Sequence, residues 1–181
     1  MLNAFFTLEY ALLGFFRRQP RHGYEVYQRL ADPLGLWQVW RLKQSQFYAL
    51  LAKLEAEGYL SATLQPQAAR PPRKVFALTE AGRDAFLTWV QSPVAHPRQI
   101  RLEFLSKLYF AQQEGDAVVQ RLVTQQRAVC QTWVATQQAQ ADTVTDPHAY
   151  RWLVNQFRLT QVEAILQWLM LCDPIEAPAQ L

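Results

Sequence analysis

The stretch from Leu42 to Lys74, LKQSQFYALLAKLEAEGYLSATLQPQAARPPRK, combines a helical pattern, a turn and a hairpin pattern. Apolar side chains recur at helical spacing over about Gln44 to Glu57, which predicts a helix there. Gly58 follows directly, in the position of a C-terminal glycine. The buried face of this helix should carry Phe47, Leu50, Leu51 and Leu54. The opposite face should carry Ser45, Tyr48, Ala49 and Ala52.

The outward face of this helix lacks the Lys, Glu and Gln side chains that solvated helices usually carry. Small side chains let another molecule approach the backbone closely, and Tyr48 adds one projecting ring and hydroxyl. A helix that enters the major groove of DNA needs such close approach. The alternative is that alanine is simply the best helix former and that this face has no partner.

The second part of the stretch predicts a hairpin with positive charge near its tip. Residues Tyr59 to Gln65 and Arg73 to Leu78 alternate apolar and polar side chains, as strands do. The segment QPQAARPP at 65–72 predicts an exposed loop, because it has three prolines and no apolar anchor. Arg70 lies near its end, and the cations Arg73 and Lys74 flank it. A solvated loop would explain these cations alone, but beside the small-faced helix they favour DNA binding.

The neighbouring segments complete the order of a winged helix-turn-helix. We expect a first helix from about Asn3 or Thr7 to Arg18, apolar on more than one face, and a second from about Gly23 to Ala31. Thr79 is a suitable N-cap for a helix that runs to about Gln91. In this order the second and third helices form the DNA-binding pair. The hairpin is the wing, whose cations reach phosphates or the minor groove.

The remainder of the chain is predicted to be helical. Ser92 to Pro97 contains two prolines and predicts a linker between a DNA-binding domain, residues 1–91, and a C-terminal domain, residues 98–181. Helices are expected at Arg98 to Gln113, Asp116 to about Gln140 and Pro147 to Cys172. The predicted fold class is therefore mainly α with a small β-hairpin wing, followed by a helical, coiled-coil-like dimerisation domain.

The last helix carries apolar side chains at steps of three and four residues over more than three heptads. Two antiparallel helices cannot bury such stripes fully by themselves, so we expect a two-fold homodimer. The first helix should contribute, because one of its apolar faces remains without a partner in its own domain. The residues expected at the dimer interface are Phe5, Tyr10, Tyr150, Val154, Phe157, Ala164, Trp168 and Leu171.

Charge and composition place limits on function and compartment. Residues 1–95 hold 11 Lys/Arg and 7 Asp/Glu, a net charge of +4, whereas residues 96–181 hold 7 and 8, a net charge of −1. The positive charge thus belongs to the half that contains the hairpin. Without a signal-peptide pattern or an apolar run of about 20 residues, we expect a cytoplasmic protein that does not enter a membrane. Cys130 and Cys172 are expected to be free thiols.

The sequence offers no pattern for catalysis. His22, His96 and His148 have no metal-ligand spacing with one another or with the cysteines. There is no glycine-rich phosphate loop and no nucleophile elbow. We therefore expect neither an enzyme nor a cofactor. The aromatic residues of the second half, Trp133 and Trp152 among them, permit a pocket between subunits for a small aromatic effector, although aromatic residues at helical spacing are usually core.

Four runs of this chain form a characteristic ordered set: LEYALLGF at 8–15, HGYE at 22–25, FYALLAKLEAEGYL at 47–60 and FALTEAG at 76–82. Taken together, they resemble the PadR family of bacterial transcriptional regulators. The C-terminal helices look like the longer-tailed, AphA-like branch of that family, with a weaker match. The resemblance implies a homodimeric winged-helix protein that binds a palindromic operator, more often as a repressor than as an activator. Some relatives take an aromatic effector.

The resemblance also implies individual DNA contacts. The helix-turn-helix contacts it implies are Tyr24, Ser45, Gln46, Tyr48 and Lys53, and the wing contacts are Arg70, Arg73 and Lys74. Many family members begin the recognition helix with a Ser or Thr cap followed by Pro, whereas this chain has Lys43-Gln44. That departure leaves the cap open and brings Lys43 within reach of a phosphate. Gln44 and Ala49 complete the candidate DNA-binding residues.

An interaction protein that keeps the winged-helix shape without binding DNA is the alternative function. The outward face from Ser45 to Ala52 would then dock a protein. Salt distinguishes the two functions, because DNA binding weakens steeply as salt rises. Protein docking through an alanine-rich face should respond little.

Overall fold

The computed structural model describes residues 9–67, 70–141, 146 and 150–172, without the side chains of residues 67 and 70–72. The helices are α1 (Tyr10–Gly14), α2 (Gly23–Leu30), α3 (Gln44–Ala56), α4 (Glu80–Gln91), α5 (Leu105–Glu114), α6 (Asp116–Ala141) and α7 (Tyr150–Met170). The strands are β1 (Arg21–His22), β2 (Leu60–Gln67) and β3 (Arg70–Leu78). Short 3₁₀ turns occur at Leu36–Gln38 and Pro97–Gln99. This architecture confirms the predicted fold class of helices with a small winged sheet.

Helix α3 has the predicted bounds within one residue, and its two ends differ in how their backbone groups are bonded. At the start, the side-chain oxygen of Gln46 accepts a hydrogen bond from the backbone N–H of Lys43 at 3.1 Å. At the end, Gly58 has a φ of +78°, and the N–H groups of Gly58 and Tyr59 donate to the carbonyls of Glu55 and Leu54. This is a Schellman motif, which needs a residue that tolerates positive φ. Gln46 thus satisfies the N–H of Lys43, whereas Lys43 gives the first turn no side-chain cap hydrogen bond.

The sheet has the strand order β1-β3-β2, with both pairs antiparallel. Strand β1 was not predicted, because its two residues are too short to show a period. The prediction of a loop was wrong for 65–67 and 70–72, since β2 extends to Gln67 and β3 starts at Arg70, while residues 68–69 lie outside the described part. Gln65 pairs with Arg73 but Gln67 pairs with Arg70, so the register shifts there. Prolines are tolerated in strands at such irregularities, where no ladder N–H is needed.

Helix α1 ends earlier than predicted, and its expected start at Asn3 or Thr7 lies outside the described residues. Its α-helical segment ends at Gly14, four residues before the expected end at Arg18. The next N–H groups, those of Phe15 and Phe16, donate to carbonyls three residues earlier, at 3.2 and 3.0 Å. Such i to i−3 bonds are common where a helix tightens at its C-terminus. The predicted N-cap is confirmed at the start of α4, where Thr79 Oγ1 accepts from the N–H of Gly82 at 3.0 Å.

The predicted linker lies firmly against the C-terminal helices. Val94 is buried, and its backbone N–H and carbonyl bond to the buried side chain of Gln126 at 2.7 and 3.3 Å. Lys107 Nζ donates to the Ser92 carbonyl at 3.0 Å and pairs with Glu103 at 3.2 Å. Burial lowers the pKa of Lys107, against the opposing effect of Glu103. The division into two domains stays a prediction, because one hydrophobic core continues from α1 to α7.

The predicted helix over 98–113 is less regular than expected. One turn of π-helix, Ile100–Phe104, precedes α5. Glu103 lies in this turn, and its carboxylate also accepts a hydrogen bond from Gln99 Nε2 at 2.9 Å. A π-turn changes which side chains face the core by one position. Here it accompanies the burial of the Glu103–Lys107 pair beside Trp89, whose ring centroid lies 5.4 Å from Lys107 Nζ.

Helix α7 packs against α6 with one face and presents the opposite face outward. The buried residues Asn155, Val162 and Leu169 are spaced by seven. The outward face includes Tyr150, Leu153, Phe157, Ala164 and Leu171, and Phe157 is 68 % exposed. Trp168 is half-buried and its ring meets that of Phe104 edge-on at 6.0 Å. Most of the stripe that was expected to form a dimer therefore has no partner within the described part of this chain.

Candidate nucleic-acid interface

The outward face of α3 is exposed along its whole length. The buried side chains are Phe47, Leu51 and Leu54, as the sequence predicted, while Leu50 is half-buried. The exposed ones are Gln44, Ser45, Gln46, Tyr48, Ala49, Ala52 and Ala56. This helix therefore presents small and uncharged polar side chains to solvent, with one aromatic ring among them. It has the clearance that entry into a major groove requires.

Tyr48 is held in place by helix α2. Its side chain is 39 % exposed, and a Cβ atom at Gly23 would lie 2.9 Å from Tyr48 Cε1. The glycine thus allows the start of α2 to approach α3 closely. Tyr48 also meets the ring of Phe47 edge-on at 5.3 Å. The ring is packed at its base, while part of the side chain remains accessible to a partner.

A groove runs from this ring to the wing, with a volume of about 670 Å³. Its lining includes Tyr24, Tyr48, Arg73 and Lys74, so the structure brings these four predicted residues together. His22 and Gln28 line it too and were not predicted. Gln28 Nε2 donates to the hydroxyl of Tyr24 at 2.8 Å, and His22 Nδ1 lies 3.2 Å from the Lys74 carbonyl. The spacing of Tyr24 and Gln28, one helical turn apart, was the available signal for Gln28.

The predicted cations fall into two groups. Lys74 Nζ lies 2.9 Å from a carboxylate oxygen of Glu55, and Lys53 Nζ lies 2.9 Å from one of Glu9. Lys43 and Arg73 are exposed, and no carboxylate of the described residues lies within 4 Å of either. Two of the predicted DNA contacts are thus neutralised in the free chain, and two are available.

Arg41 is exposed just before α3 and was missed as a candidate. It precedes Lys43 by two residues, so both cations flank the start of the helix that should enter the groove. Positive charge beside the major groove lies where the phosphates of its rims run. The connection from 36 to 42 has no clear periodicity, so the sequence does not place its one cation, Arg41, on a DNA-facing surface.

For three predicted site residues, the structure does not test the expected role. Arg70 belongs to β3, but its side chain is outside the described part, and Phe5 lies outside the described residues altogether. Tyr10, expected at the dimer interface, packs edge-on against Tyr59 within the chain, with the rings 5.5 Å apart. Burial and the hydrogen bond to Tyr59 raise the pKa of Tyr10 to about 12. Its part in a dimer stays a prediction.

The two tryptophans proposed for an effector pocket are not brought together. Trp133 lines a cavity of about 580 Å³ with His96, Arg98 and Arg158, and its Nε1 donates to the Ala95 carbonyl at 3.2 Å. Trp152 is half-buried and does not line that cavity. Two guanidinium groups beside an indole ring would suit an aromatic acid.

The described ranges contain neither a cluster of metal ligands nor a membrane-spanning helix. The histidines, cysteines and carboxylates there form no group of three that could hold a metal ion. Among the same residues, no helix combines the length and apolar character needed to cross a bilayer. Cys130 is a buried free thiol, and burial raises its pKa.

Comparison with known proteins gives a consistent family match. Residues 12–87 match the transcriptional regulator PadR-like family. The negative transcriptional regulator PadR of Bacillus subtilis is 32% identical over 104 residues, covering 58% of this chain and 56% of that protein. A Mycobacterium tuberculosis protein named as a probable transcriptional regulator, Rv1176c, is 29% identical over 92 residues, covering 51% and 48%. The chain thus spans about half the length of these curated relatives.

A crystal structure of B. subtilis PadR in complex with operator DNA is also similar to this chain. The identity is 25%, the match covers 90% of this chain and 93% of that chain, and the TM-score is 0.46.

Proposed function

We propose that this chain, whose residues 12–87 match the transcriptional regulator PadR-like family, is a sequence-specific DNA-binding transcriptional regulator. The observation that carries the proposal is the outward face of α3. It is exposed, free of acidic residues from Gln44 to Ala52, and adjoins a groove that leads to the wing. The family match and the B. subtilis negative regulator, 32% identical, support the same function.

In this proposal α3 enters the major groove of duplex DNA. Ser45, Tyr48 and Ala49 then face base edges, with Tyr48 as the main side chain that reaches them. Arg41 and Lys43 contact phosphates at the start of the helix, and Arg73 does so from the wing. Phosphate contacts set the position of the helix, whereas base contacts select the sequence. Tyr24 and Gln28 border the same groove and complete the contact surface.

We further propose that the protein acts as a homodimer on a palindromic operator. The outward stripe of α7 supports this, because Tyr150, Phe157 and Leu171 are largely exposed in the single chain. A second copy seated on the stripe would bury these side chains, and a two-fold axis would pair identical stripes. The two recognition helices should then lie about 34 Å apart, or a multiple of that distance. Repression is the expected direction, since the B. subtilis relative is a negative regulator.

A small aromatic acid is the proposed effector class. The cavity beside Trp133 offers a ring and the cations Arg98 and Arg158 for a carboxylate. It lies next to the segment that joins the two halves of the chain, where a ligand could change how they pack. We propose no enzymatic activity and a cytoplasmic location, in line with a regulator that meets chromosomal DNA.

The experiment that tests DNA binding starts from the DNA itself. The fragments that co-purify with the protein from its own cells are sequenced, and the enriched site is compared with a scrambled duplex in a salt series. We expect the logarithm of the association constant to fall linearly with the logarithm of salt concentration, by about 0.9 per phosphate contact. The double variant Arg73→Gln/Lys74→Gln should make that slope shallower by about 0.9, because Arg73 contacts a phosphate while Lys74 is held by Glu55.

The matched control is Arg83→Gln/Arg101→Gln, which removes two exposed arginines outside the groove and wing. It should leave the slope close to that of the unmodified chain. The proposal fails when no site is enriched over random DNA, or when binding is insensitive to salt. A protein that co-purifies through the α3 face without DNA would instead indicate a docking module.

A further inference from the structure

A small pocket lies between the turn after α1, helix α2 and helix α5, and the proposed DNA interface does not use it. Its volume is about 190 Å³. Four arginines line it: Arg17, Arg18, Arg21 and Arg29. Asp32 and Glu114 are the acidic residues in the lining. Four guanidinium groups against two carboxylates leave an excess of two positive charges around one small space.

Three of these arginines are fixed by contacts with the protein. Arg18 Nη2 donates to the Gln113 carbonyl at 3.0 Å, and Arg21 Nε donates to the Phe15 carbonyl at 3.1 Å. Arg17 Nη2 lies 3.3 Å from a carboxylate oxygen of Glu114. A guanidinium group has five N–H donors, so each arginine keeps others for a ligand. The site is therefore largely ordered before any ligand binds, which reduces the entropy cost of binding.

The positive charge in this pocket is incompletely compensated. Burial and the neighbouring Arg29 lower the pKa of Arg21, against a weaker opposing effect of Glu25. The buried Nε of Arg17 donates to no acceptor within the described residues. Asp32 directs Oδ1 toward the backbone N–H of Leu34 at 3.0 Å, which occupies part of its acceptor capacity. Arg17 Nε is closed to solvent, so an anion with several oxygens would accept instead from other N–H groups of the lining arginines and reduce the mutual repulsion of Arg21 and Arg29.

We propose that this pocket binds a small oxyanion with two negative charges, such as inorganic phosphate or sulfate. The guanidinium fork matches two oxygens of such an ion, and several forks can surround one ion. The volume supports this class, because drug-sized ligands need pockets of about 300 to 1,000 Å³. The rings of Phe15, Tyr109 and Phe110 also line the pocket.

The position of the pocket gives the ion a structural consequence. Arg21 and Arg29 belong to β1 and α2, which lie beside α3, whereas Tyr109, Gln113 and Glu114 belong to α5. An ion bound here connects the first half of the helix-turn-helix to the C-terminal helices. A ligand that binds only the folded chain raises the free energy of unfolding. The increase grows with the logarithm of the ligand concentration once that concentration exceeds the dissociation constant.

The test is a titration of the full chain with inorganic phosphate, without DNA, by calorimetry and by thermal unfolding. Sodium chloride is adjusted to keep the ionic strength constant, and sulfate and benzoate are titrated in parallel. We expect saturable binding of one phosphate per chain, a rise in melting temperature, similar binding of sulfate and weaker binding of benzoate. Arg29→Gln should weaken phosphate binding about tenfold or more, as the loss of a charged hydrogen bond does.

Arg83→Gln is the matched control, because Arg83 is an exposed helix arginine that does not line the pocket. It should bind phosphate as the unmodified chain does. Arg18→Gln is a second pocket variant, used if Arg29→Gln proves poorly folded by circular dichroism. The inference is overturned if phosphate gives no saturable signal, if both pocket variants bind like the control, or if benzoate binds as tightly as phosphate. It is also overturned if Arg29→Gln weakens only duplex DNA binding, since the phosphate would then be that of the DNA backbone.

Discussion

Helices α3 and α7 each bury one face and leave the opposite face outward, but the two outward faces differ in chemistry. That of α3 carries Ser45, Ala49 and Ala52 around a single ring, Tyr48. That of α7 carries large apolar side chains, among them Phe157 and Leu171, which is 79 % exposed. Both faces are without a partner in the described chain. Their chemistry indicates which partner each one suits.

Small, uncharged side chains suit a partner that must approach a backbone closely and that presents polar edges, as a DNA groove does. Large apolar side chains gain free energy when another apolar surface removes them from water, at about 25 cal/mol per Å². An outward stripe of that kind is typical of an interface between protein chains. The comparison therefore assigns the proposed DNA contact to the α3 face and the proposed dimer contact to the α7 face.

The largest expected effect is on the α7 side of this comparison. Phe157→Glu would place an unpaired charge, once from each subunit, in the proposed dimer interface. We expect the dimer to weaken by about 3 kcal/mol or more, which is at least about 100-fold in dissociation constant. Analytical ultracentrifugation over a concentration series measures this. Thr88→Glu, an exposed position on α4, is the control and should leave the association unchanged. An unmodified chain that sediments as a monomer would remove the dimer interpretation of α7.

An intermediate effect is expected on the α3 side. Tyr48→Ala should weaken operator binding by about 1–3 kcal/mol while affinity for random DNA changes little, because base contacts carry the specificity. Fluorescence anisotropy with operator and scrambled duplexes checks this. Tyr48→Phe keeps the ring that packs on Gly23 and removes only the hydroxyl, so it separates base contact from packing. Equal losses on both duplexes would show that Tyr48 contacts the DNA backbone or supports the fold.

The smallest expected effect is on the salt dependence of DNA binding, through a residue near the C-terminal end of α3. Glu55→Gln removes the carboxylate that holds Lys74, an exposed pair whose own contribution to stability is about 0–1 kcal/mol. Lys74 should then reach a phosphate, so the salt slope should steepen by about 0.9 and binding to random DNA should strengthen. The salt series used for the wing variants measures both quantities. An unchanged slope would mean that Lys74 already leaves Glu55 when DNA binds, or never contacts it.

The parts of the fold that the sequence predicts well are those with a local repeating pattern. The buried face of α3, the N-cap at Thr79 and the alternation that defines β2 and β3 all arise within a few residues. The outward stripe of α7 was visible for the same reason, since Phe157, Ala164 and Leu171 are spaced by seven. Local periodicity is set by the geometry of one helix or strand and needs no knowledge of the rest of the chain.

The features that were missed depend on residues far apart in sequence. Glu9 lies 44 residues from Lys53, and Glu55 lies 19 residues from Lys74, so the pairing that neutralises these lysines cannot be inferred from spacing. Strand β1 exists only because β3 pairs with it. The oxyanion pocket likewise needs α5 to meet the turn after α1. Only the folded chain shows which cations have partners.

The clamp that Gln126 places on Val94 has a consequence for the operator. Two hydrogen bonds hold the connection between the winged sheet and the long helices. In the proposed dimer, the distance and the angle between the two recognition helices would therefore be fixed. Duplex DNA turns once in about 10.5 base pairs, so a spacer lengthened by half a turn would bring one half-site to the wrong side of the double helix. A winged domain on a flexible linker could rotate to reach the displaced half-site. In this protein the winged domain would lose contact with that half-site. A spacer lengthened by a full turn would restore the rotational phase of the two half-sites but not the distance between them.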